Sequence, residues 1–281
     1  MKIAITGSTG QLGKLVIEQL TKLTDKNKLV ALARDLEKAK SLGIESRVFD
    51  YTKPEQLKDS LVGIEKLLII SGSEIGQRLV QHKNIIDAAK LAGVQHLVYT
   101  SLLHADSSTL SLAAEHKETE KLIKDSGITY TILRNGWYTE NFLGSLSSIL
   151  SSSKVFAASG SGKISSATRE DYALAAAKVL TTPGHENKTY ELAGDSAFNK
   201  QEFADAIAKV TNQPISFQNL SAEDYKNLLV QVGLPEGFAD FLAQTDIEIE
   251  KDQLFSKSKD LSQLIGRPTT TLEEAIKESL V

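Results

Sequence analysis

The chain contains no cysteine, which excludes disulfides, a thiolate nucleophile and any cysteine-ligated metal. Its five histidines, His82, His96, His104, His116 and His185, include no pair at metal-site spacing on one helix face, so no metal is expected. Net charge is small: 32 basic against 36 acidic residues leave −4 over 281 residues. There is thus no basic excess to suit nucleic acid or an anionic membrane surface. No apolar run is long enough to cross a bilayer. A first strand beginning at residue 2 leaves no room for a targeting peptide, so a cytoplasmic protein is expected. Internal repeats and long low-complexity segments are also absent. What remains is 41% hydrophobic and 24% charged, the composition of a globular protein with room for one α/β domain and a smaller lobe.

The positive signals start with MKIAITGSTGQLGKL. Lys2–Thr6 is a short apolar run rich in β-branched residues and reads as a buried parallel strand. Gly7, Gly10 and Gly13 follow at G-x-x-G-x-x-G spacing, and Leu15, Val16, Ile17 and Leu20 then recur with helical period. Glycines on a strand-to-helix turn permit a tight bend and close approach of a pyrophosphate to the helix N-terminus. A second strand, Leu29–Ala33, ends in Arg34-Asp35. An acidic residue at that place reads the free ribose hydroxyl of NAD, and an arginine accommodates the 2′-phosphate of NADP. Arg34 favours NADP; Asp35 keeps NAD open. A third strand ends at Asp50, whose carboxylate either accepts from the adenine amino group or caps the helix that opens at Pro54. The fourth, Lys66–Ile70, ends in Ser71-Gly72-Ser73, small residues that let a dinucleotide pass close to the backbone. The helix Gln77–Ala92 should turn Val80, Ile85, Ile86 and Ala89 inward, and carries Lys83.

The fifth strand ends in Thr100-Ser101, with His104 just beyond as a substrate contact. The next helix lacks the Tyr-x-x-x-Lys pair with which many reductases protonate a carbonyl: Lys121 is present, but Lys117 stands four residues before it. On this charged helix His116 either faces the site or is merely exposed. The sixth strand delivers Arg134-Asn-Gly-Trp-Tyr-Thr-Glu-Asn141, a loop of two aromatic rings, two amides and a carboxylate that suits a flat nicotinamide or a flat substrate stacked on it. From Phe142 the βα alternation weakens; Leu143–Leu150 is expected as one helix, Thr168 as a helix N-cap and Gln263–Leu272 as a loop. These signals predict an α/β Rossmann-type doubly wound parallel sheet over residues 1–141. Residues 142–281 are expected as a smaller mixed α/β lobe that covers a cleft, with some strands free to return to the main sheet.

ITGSTGQLG (5–13), VALAR (30–34), SLLHAD (101–106), RNGWYTEN (134–141), SATREDY (166–172), YELAGDSA (190–197) and LIGRPTTTL (264–272) resemble the NmrA-like branch of atypical short-chain dehydrogenases. Within that branch the similarity is strongest to flavin-free NAD(P)H:quinone oxidoreductases, relatives of triphenylmethane reductase. The resemblance covers essentially the whole chain, and RNGWY-x-EN with SLLHAD is its specific part. It implies NADPH as cofactor, with NADH admitted and neither flavin nor metal, and a small-molecule quinone as substrate. Beyond a second copy in a homodimer, no macromolecular partner is implied. The expected cofactor residues are Gly7, Ser8, Thr9, Gly10, Gln11, Leu12 and Gly13 of the turn, with Arg34, Asp50, Ser71, Gly72, Ser73, Lys83 and Ser101. To these come Asn135, Gly136, Trp137, Tyr138, Glu140, Asn141 and Arg169. His104, Trp137 and Tyr138 are expected to line the substrate pocket. Two other readings stay open: an NADP(H)-binding redox sensor without turnover, and a reductase of another planar electrophile such as a triphenylmethane dye.

Overall fold

The computed structural model describes residues 2–280. Nine strands and thirteen α-helices follow in order among them, with one 3₁₀ turn at Lys26–Lys28. The first half alternates strictly: β1 (Ile3–Ile5), α1 (Gln11–Leu23), β2 (Leu29–Ala33), α2 (Leu36–Lys40), β3 (Glu45–Val48), α3 (Pro54–Ser60), β4 (Lys66–Ile69), α4 (Arg78–Ala92), β5 (His96–Leu102), α5 (Ala113–Asp125) and β6 (Thr129–Asn135). Then come α6 (Thr139–Leu143), α7 (Leu146–Ser152), β7 (Lys154–Ala157), α8 (Arg169–Thr181), β8 (Lys188–Leu192), α9 (Lys200–Thr211) and β9 (Ser216–Asn219). The chain closes with α10 (Ala222–Gln231), α11 (Glu236–Glu250), α12 (Asp260–Ile265) and α13 (Leu272–Ser279).

Seven strands form one parallel sheet in the order β3-β2-β1-β4-β5-β6-β8. Its central strands are continuous hydrophobe because helices cover both faces. Alternation along β1 divides the work: Ile3 and Ile5 join the core under α1, α8 and α12, while Ala4 joins the core under α3, α4 and α5. Ala173, Ala176 and Ala177 of α8 are buried beside Val16, Ile17 and Leu20 of α1, small side chains that let the two helices lie close. Thr168 caps α8, as its position predicts, by accepting from the Asp171 N–H.

The second half of the chain serves two bodies. α8, β8 and α12 complete the main sheet and its cover. A second core gathers Phe142, Leu146, Phe198, Phe203, Ile207, Ile249 and Ile276 around the two-stranded parallel β7-β9 ladder. It forms the lobe above the carboxyl ends of β5 and β6.

Several local expectations are corrected. Val80 is not inward but 60% exposed; Gln81 and His82 take the inner face of α4 instead, because their polar groups have partners in the loop after β4. Residues 143–150 are not one helix: α6 ends at Leu143 and α7 begins at Leu146. Part of the expected loop 263–272 is the end of α12, which Gly266 stops at φ +73°. No helix among the described residues is long and apolar enough to cross a membrane.

Candidate active site

The chain leaves β1 toward β2 on one side, while β4 lies on the other and leads on to β5, so the connections that leave the carboxyl ends of β1 and β4 part in opposite directions. Such a switch point opens the crevice in which doubly wound sheets bind ligands. Here side chains tie the strand ends together at the floor of the crevice: the Ile70 N–H donates to Thr6 Oγ1 and the Ser71 N–H to Thr100 Oγ1, each at 3.0 Å.

The glycine turn is built for a dinucleotide. Gly7 takes φ +58°, a conformation glycine adopts without steric cost. A Cβ on Gly13 would fall on the Gly7 carbonyl oxygen and 2.8 Å from Ser8 Cα, so α1 can approach β1 only with glycine there. Ser8 is buried and its Oγ donates to the Leu32 carbonyl at 2.9 Å, which fastens the turn to β2. Gly10 is the N-cap of α1 and offers no side-chain acceptor; no acidic residue stands in the first turn. The opening N–H groups of Gln11, Leu12 and Gly13 therefore face outward under the positive end of the helix dipole, suited to a pyrophosphate. Thr9 flanks them, half-buried.

At the adenosine end the expected residues divide. Arg34 is exposed and its guanidinium meets Glu74 Oε1 at 3.3 Å. Asp35 is spent on α2, where Oδ1 accepts from the Glu37 and Lys38 N–H groups as N-cap. Asp50 neither caps α3 nor is free on both oxygens: Oδ1 accepts from Thr52 N–H and Oγ1, and hydrogen bonding to Thr52 holds its carboxyl below the usual range. Ser71 and Gly72 are half-buried and Ser73 exposed. Lys83 pairs with Asp87 on the solvent side of α4.

At the other end, Asn135 closes β6. Its Oδ1 is buried with no hydrogen-bond partner, an acceptor left for a donor beyond the protein. Burial pushes the Tyr138 phenol up, while hydrogen bonding with Asn135 and the Arg169 charge oppose it. The Arg169 guanidinium carbon lies 4.5 Å from the Tyr138 ring centroid, and Arg169 also donates to Asn141 Oδ1 at 2.8 Å and through its backbone N–H to Glu140 Oε1 at 2.8 Å. Gly136 is closely enclosed: a Cβ there would sit 3.0 Å from the Tyr172 hydroxyl and 3.2 Å from the Leu192 carbonyl oxygen.

Ser101 and His104 belong to a network that sequence reasoning missed. Arg134 is buried and binds Glu120 through two nitrogens, Glu191 through a third contact at 2.7 Å, and Asp106 at 3.1 Å. Burial works against its charge, but Glu120 and Glu191 more than compensate, and its pKa is raised. Ser101 Oγ donates to Glu120 at 2.6 Å. His104, at φ +55°, donates its backbone N–H to Glu191, and its ring spans from Glu191 toward the Phe255 carbonyl at 3.3 Å. The signal available was an arginine inside an apolar strand, which is buried only when paired.

His116 is neither exposed nor in the crevice: it is buried and meets the Tyr99 hydroxyl at 2.7 Å. His82 accepts from the Gly72 N–H at 3.1 Å through Nε2, which puts its proton on Nδ1, facing Thr119 Oγ1 at 3.0 Å. Burial, reinforced by the Arg78 charge, brings both rings down to about 3. Lys121 is exposed and pairs with Asp125, so α5 delivers no acid to the crevice from that position. A surface concavity of about 490 Å³ is lined by Lys26, Leu36, Lys40 and Ile44 beside the β3 edge of the sheet. Among the described residues no three His, Asp or Glu side chains gather as metal ligands.

Comparison with known proteins agrees with this geometry. Quinone oxidoreductase 2 of Escherichia coli is 53% identical over 277 residues, covering 98% of this chain and 97% of that one. The crystal structure of the NADPH-dependent quinone oxidoreductase of E. coli with NADPH superposes with a TM-score of 0.96 at 52% identity, over 99% of this chain and all of the other. Triphenylmethane reductase from Citrobacter sp. with NADP(H) gives a TM-score of 0.96 at 40% identity over 99% of this chain and 100% of that chain. Residues 1–277 match the sequence pattern of the NmrA-like family, and with the glycine cradle, the switch-point crevice and the Asn135–Asn141 loop all in place, the chain belongs to that family.

Proposed function

We propose that the protein is an NADPH-dependent oxidoreductase that passes hydride directly to a quinone without a flavin. The observation that carries this reading is the end-to-end similarity to the E. coli quinone oxidoreductase. The crevice itself fits the cofactor: the Gly13 contact leaves a backbone cradle at the α1 N-terminus, and Asn135 Oδ1 is an unpaired acceptor of the kind a carboxamide N–H would fill. Gly7 to Gly13 would hold the pyrophosphate, Arg34 the 2′-phosphate, and Asn135 with Tyr138 the nicotinamide end. NADPH when bound supplies a hydride, two electrons and a proton nucleus; with one further proton from solvent the quinone becomes a hydroquinone.

The chain's own part is chiefly orientation and exclusion of water. A quinone is a strong electrophile and its reduced oxygen is a stabilised phenolate, so a dedicated acid matters less than for a ketone. That fits an α5 whose Lys121 faces solvent and whose His116 is locked on Tyr99. His104 and Trp137, at the border between sheet and lobe, are the residues we place beside the quinone. A cytoplasmic setting, where NADPH is supplied, goes with this reading. The test is loss of NADPH absorbance with and without p-benzoquinone, repeated with NADH. Quinone-dependent oxidation, faster with NADPH, is expected. Tight NADPH binding with no turnover on any quinone would overturn the enzyme in favour of a redox sensor.

A further inference from the structure

The loop between β4 and α4 reaches across the switch point and touches the end of β2. Glu74, on that loop, is held on both oxygens. Oε2 accepts from the buried Gln81 amide at 2.7 Å, and Oε1 meets Arg34 at 3.3 Å. The loop is anchored along its length. The Gly72 N–H donates to His82 and the Gly72 carbonyl accepts from Arg78 at 2.8 Å. The Gly76 N–H donates to Glu115 Oε1 at 3.0 Å, and Arg78 pairs with the other Glu115 oxygen at 3.2 Å. Glu74 is thus presented to Arg34 by a fixed frame.

The carboxylates nearer in sequence are otherwise engaged. Asp35 caps α2, and Asp50 has Oδ1 taken up by Thr52 and meets Arg34 only as a charge, the smallest of the influences on its carboxyl, without a hydrogen bond to the guanidinium. The carboxylate hydrogen-bonded to the arginine at the end of β2 therefore comes from 40 residues downstream.

We propose that Glu74 is a specificity-determining residue that opposes Arg34 and sets how strongly the protein prefers NADPH over NADH. The proposal rests on the reading that Arg34 takes the 2′-phosphate. An arriving phosphate must displace the Glu74 carboxylate from the guanidinium and then lie in its repulsive field. A free 2′-hydroxyl meets the opposite situation: it can donate to that carboxylate, as it does to the acidic residue at the end of β2 in NAD-binding folds. Glu74 therefore subtracts from NADPH affinity and adds to NADH affinity, in the place where Asp35 would have acted had it not been drawn into the α2 cap.

The experiment is direct titration of both reduced cofactors, by nicotinamide fluorescence, against the parent protein, Glu74→Gln and Arg34→Ala. Glu74→Gln is isosteric and half-exposed, and its amide oxygen still accepts from Gln81. It is expected to tighten NADPH about three- to fivefold, the scale of an exposed ion pair, and to leave NADH unchanged or weaker. An unchanged ratio of the two affinities, or a shift toward NADH, overturns the proposal. Arg34→Ala separates the two claims. If it weakens NADPH selectively while Glu74→Gln leaves the ratio flat, the Glu74 assignment alone fails. If it weakens both cofactors alike, the phosphate assignment beneath it fails as well.

Discussion

Trp137 and Tyr138 are neighbours in the chain yet pack into different hydrophobic cores. Trp137 lies against the lobe core of Phe142 and Phe203, whereas Tyr138 lies against the sheet core, edge-on to Tyr172 at 5.5 Å and beneath Arg169. The loop after β6 therefore ties the lobe to the sheet. Substitutions should separate the two roles. Trp137→Ala should loosen the lobe, lowering stability by about 1–3 kcal/mol for a half-buried ring. Tyr138→Phe keeps the ring packing but removes the hydroxyl beside Asn135; it should change stability by less than about 1 kcal/mol while slowing hydride transfer. Urea denaturation and quinone-dependent turnover of both variants check this.

Arg34→Ala should raise the Michaelis constant for NADPH about tenfold, the value of a charge-assisted hydrogen bond in a partly exposed site, and that for NADH little. Steady-state kinetics with each cofactor decide it; equal effects would remove the phosphate from Arg34.

Two glycines of the turn, Gly10 and Gly13, should differ in what they break. Gly13→Ala places a Cβ on the Gly7 carbonyl, so α1 must move away from β1, at a cost of about 1–3 kcal/mol and with loss of both cofactors. Gly10 is exposed, and the nearest atom to an added Cβ is the Gly7 oxygen at 3.2 Å. Gly10→Val should therefore lower the thermal midpoint less than Gly13→Ala does, yet still block both cofactors at the surface of the turn. Binding titrations and thermal melts of the pair test the distinction.

His82 and His116 make stability fall as pH drops. Each is at about 3 when folded against 6.5 for a free histidine, so below pH 6.5 the unfolded chain takes up protons that the folded chain refuses. Stability is full above the unfolded value and declines by about 1.4 kcal/mol per pH unit for each ring between 6.5 and about 3. His96, lowered chiefly by burial, adds in the same direction. Urea midpoints measured from pH 7 down to 5 should show this slope, and His82→Gln should flatten it by about one proton. A flat profile over that window would mean the rings are not held neutral.

Much of the main sheet was legible because its determinants are local. β2 falls at the residues that its apolar run and flanking signals indicate, and Thr168 caps α8 as its position suggested. Side-chain destinations were not. Asp35 reads as a ribose acceptor that keeps NAD open until its carboxylate is seen to cap α2. His116 sits on a helix dense with exposed charge and yet is buried, because only the face turned toward Tyr99 and α4 is covered.

By itself the sequence determined the doubly wound parallel sheet and the glycine turn, since each depends on residues within a few turns of one another. Only the tertiary structure decided which charges meet. Arg134 is satisfied by Glu120 and Glu191 from two other elements, and Arg34 faces Glu74 across the crevice rather than its own neighbour. Charge pairing is a matter of distance in space and of which carboxylates the backbone has already claimed, and neither is written in the spacing of residues along the chain.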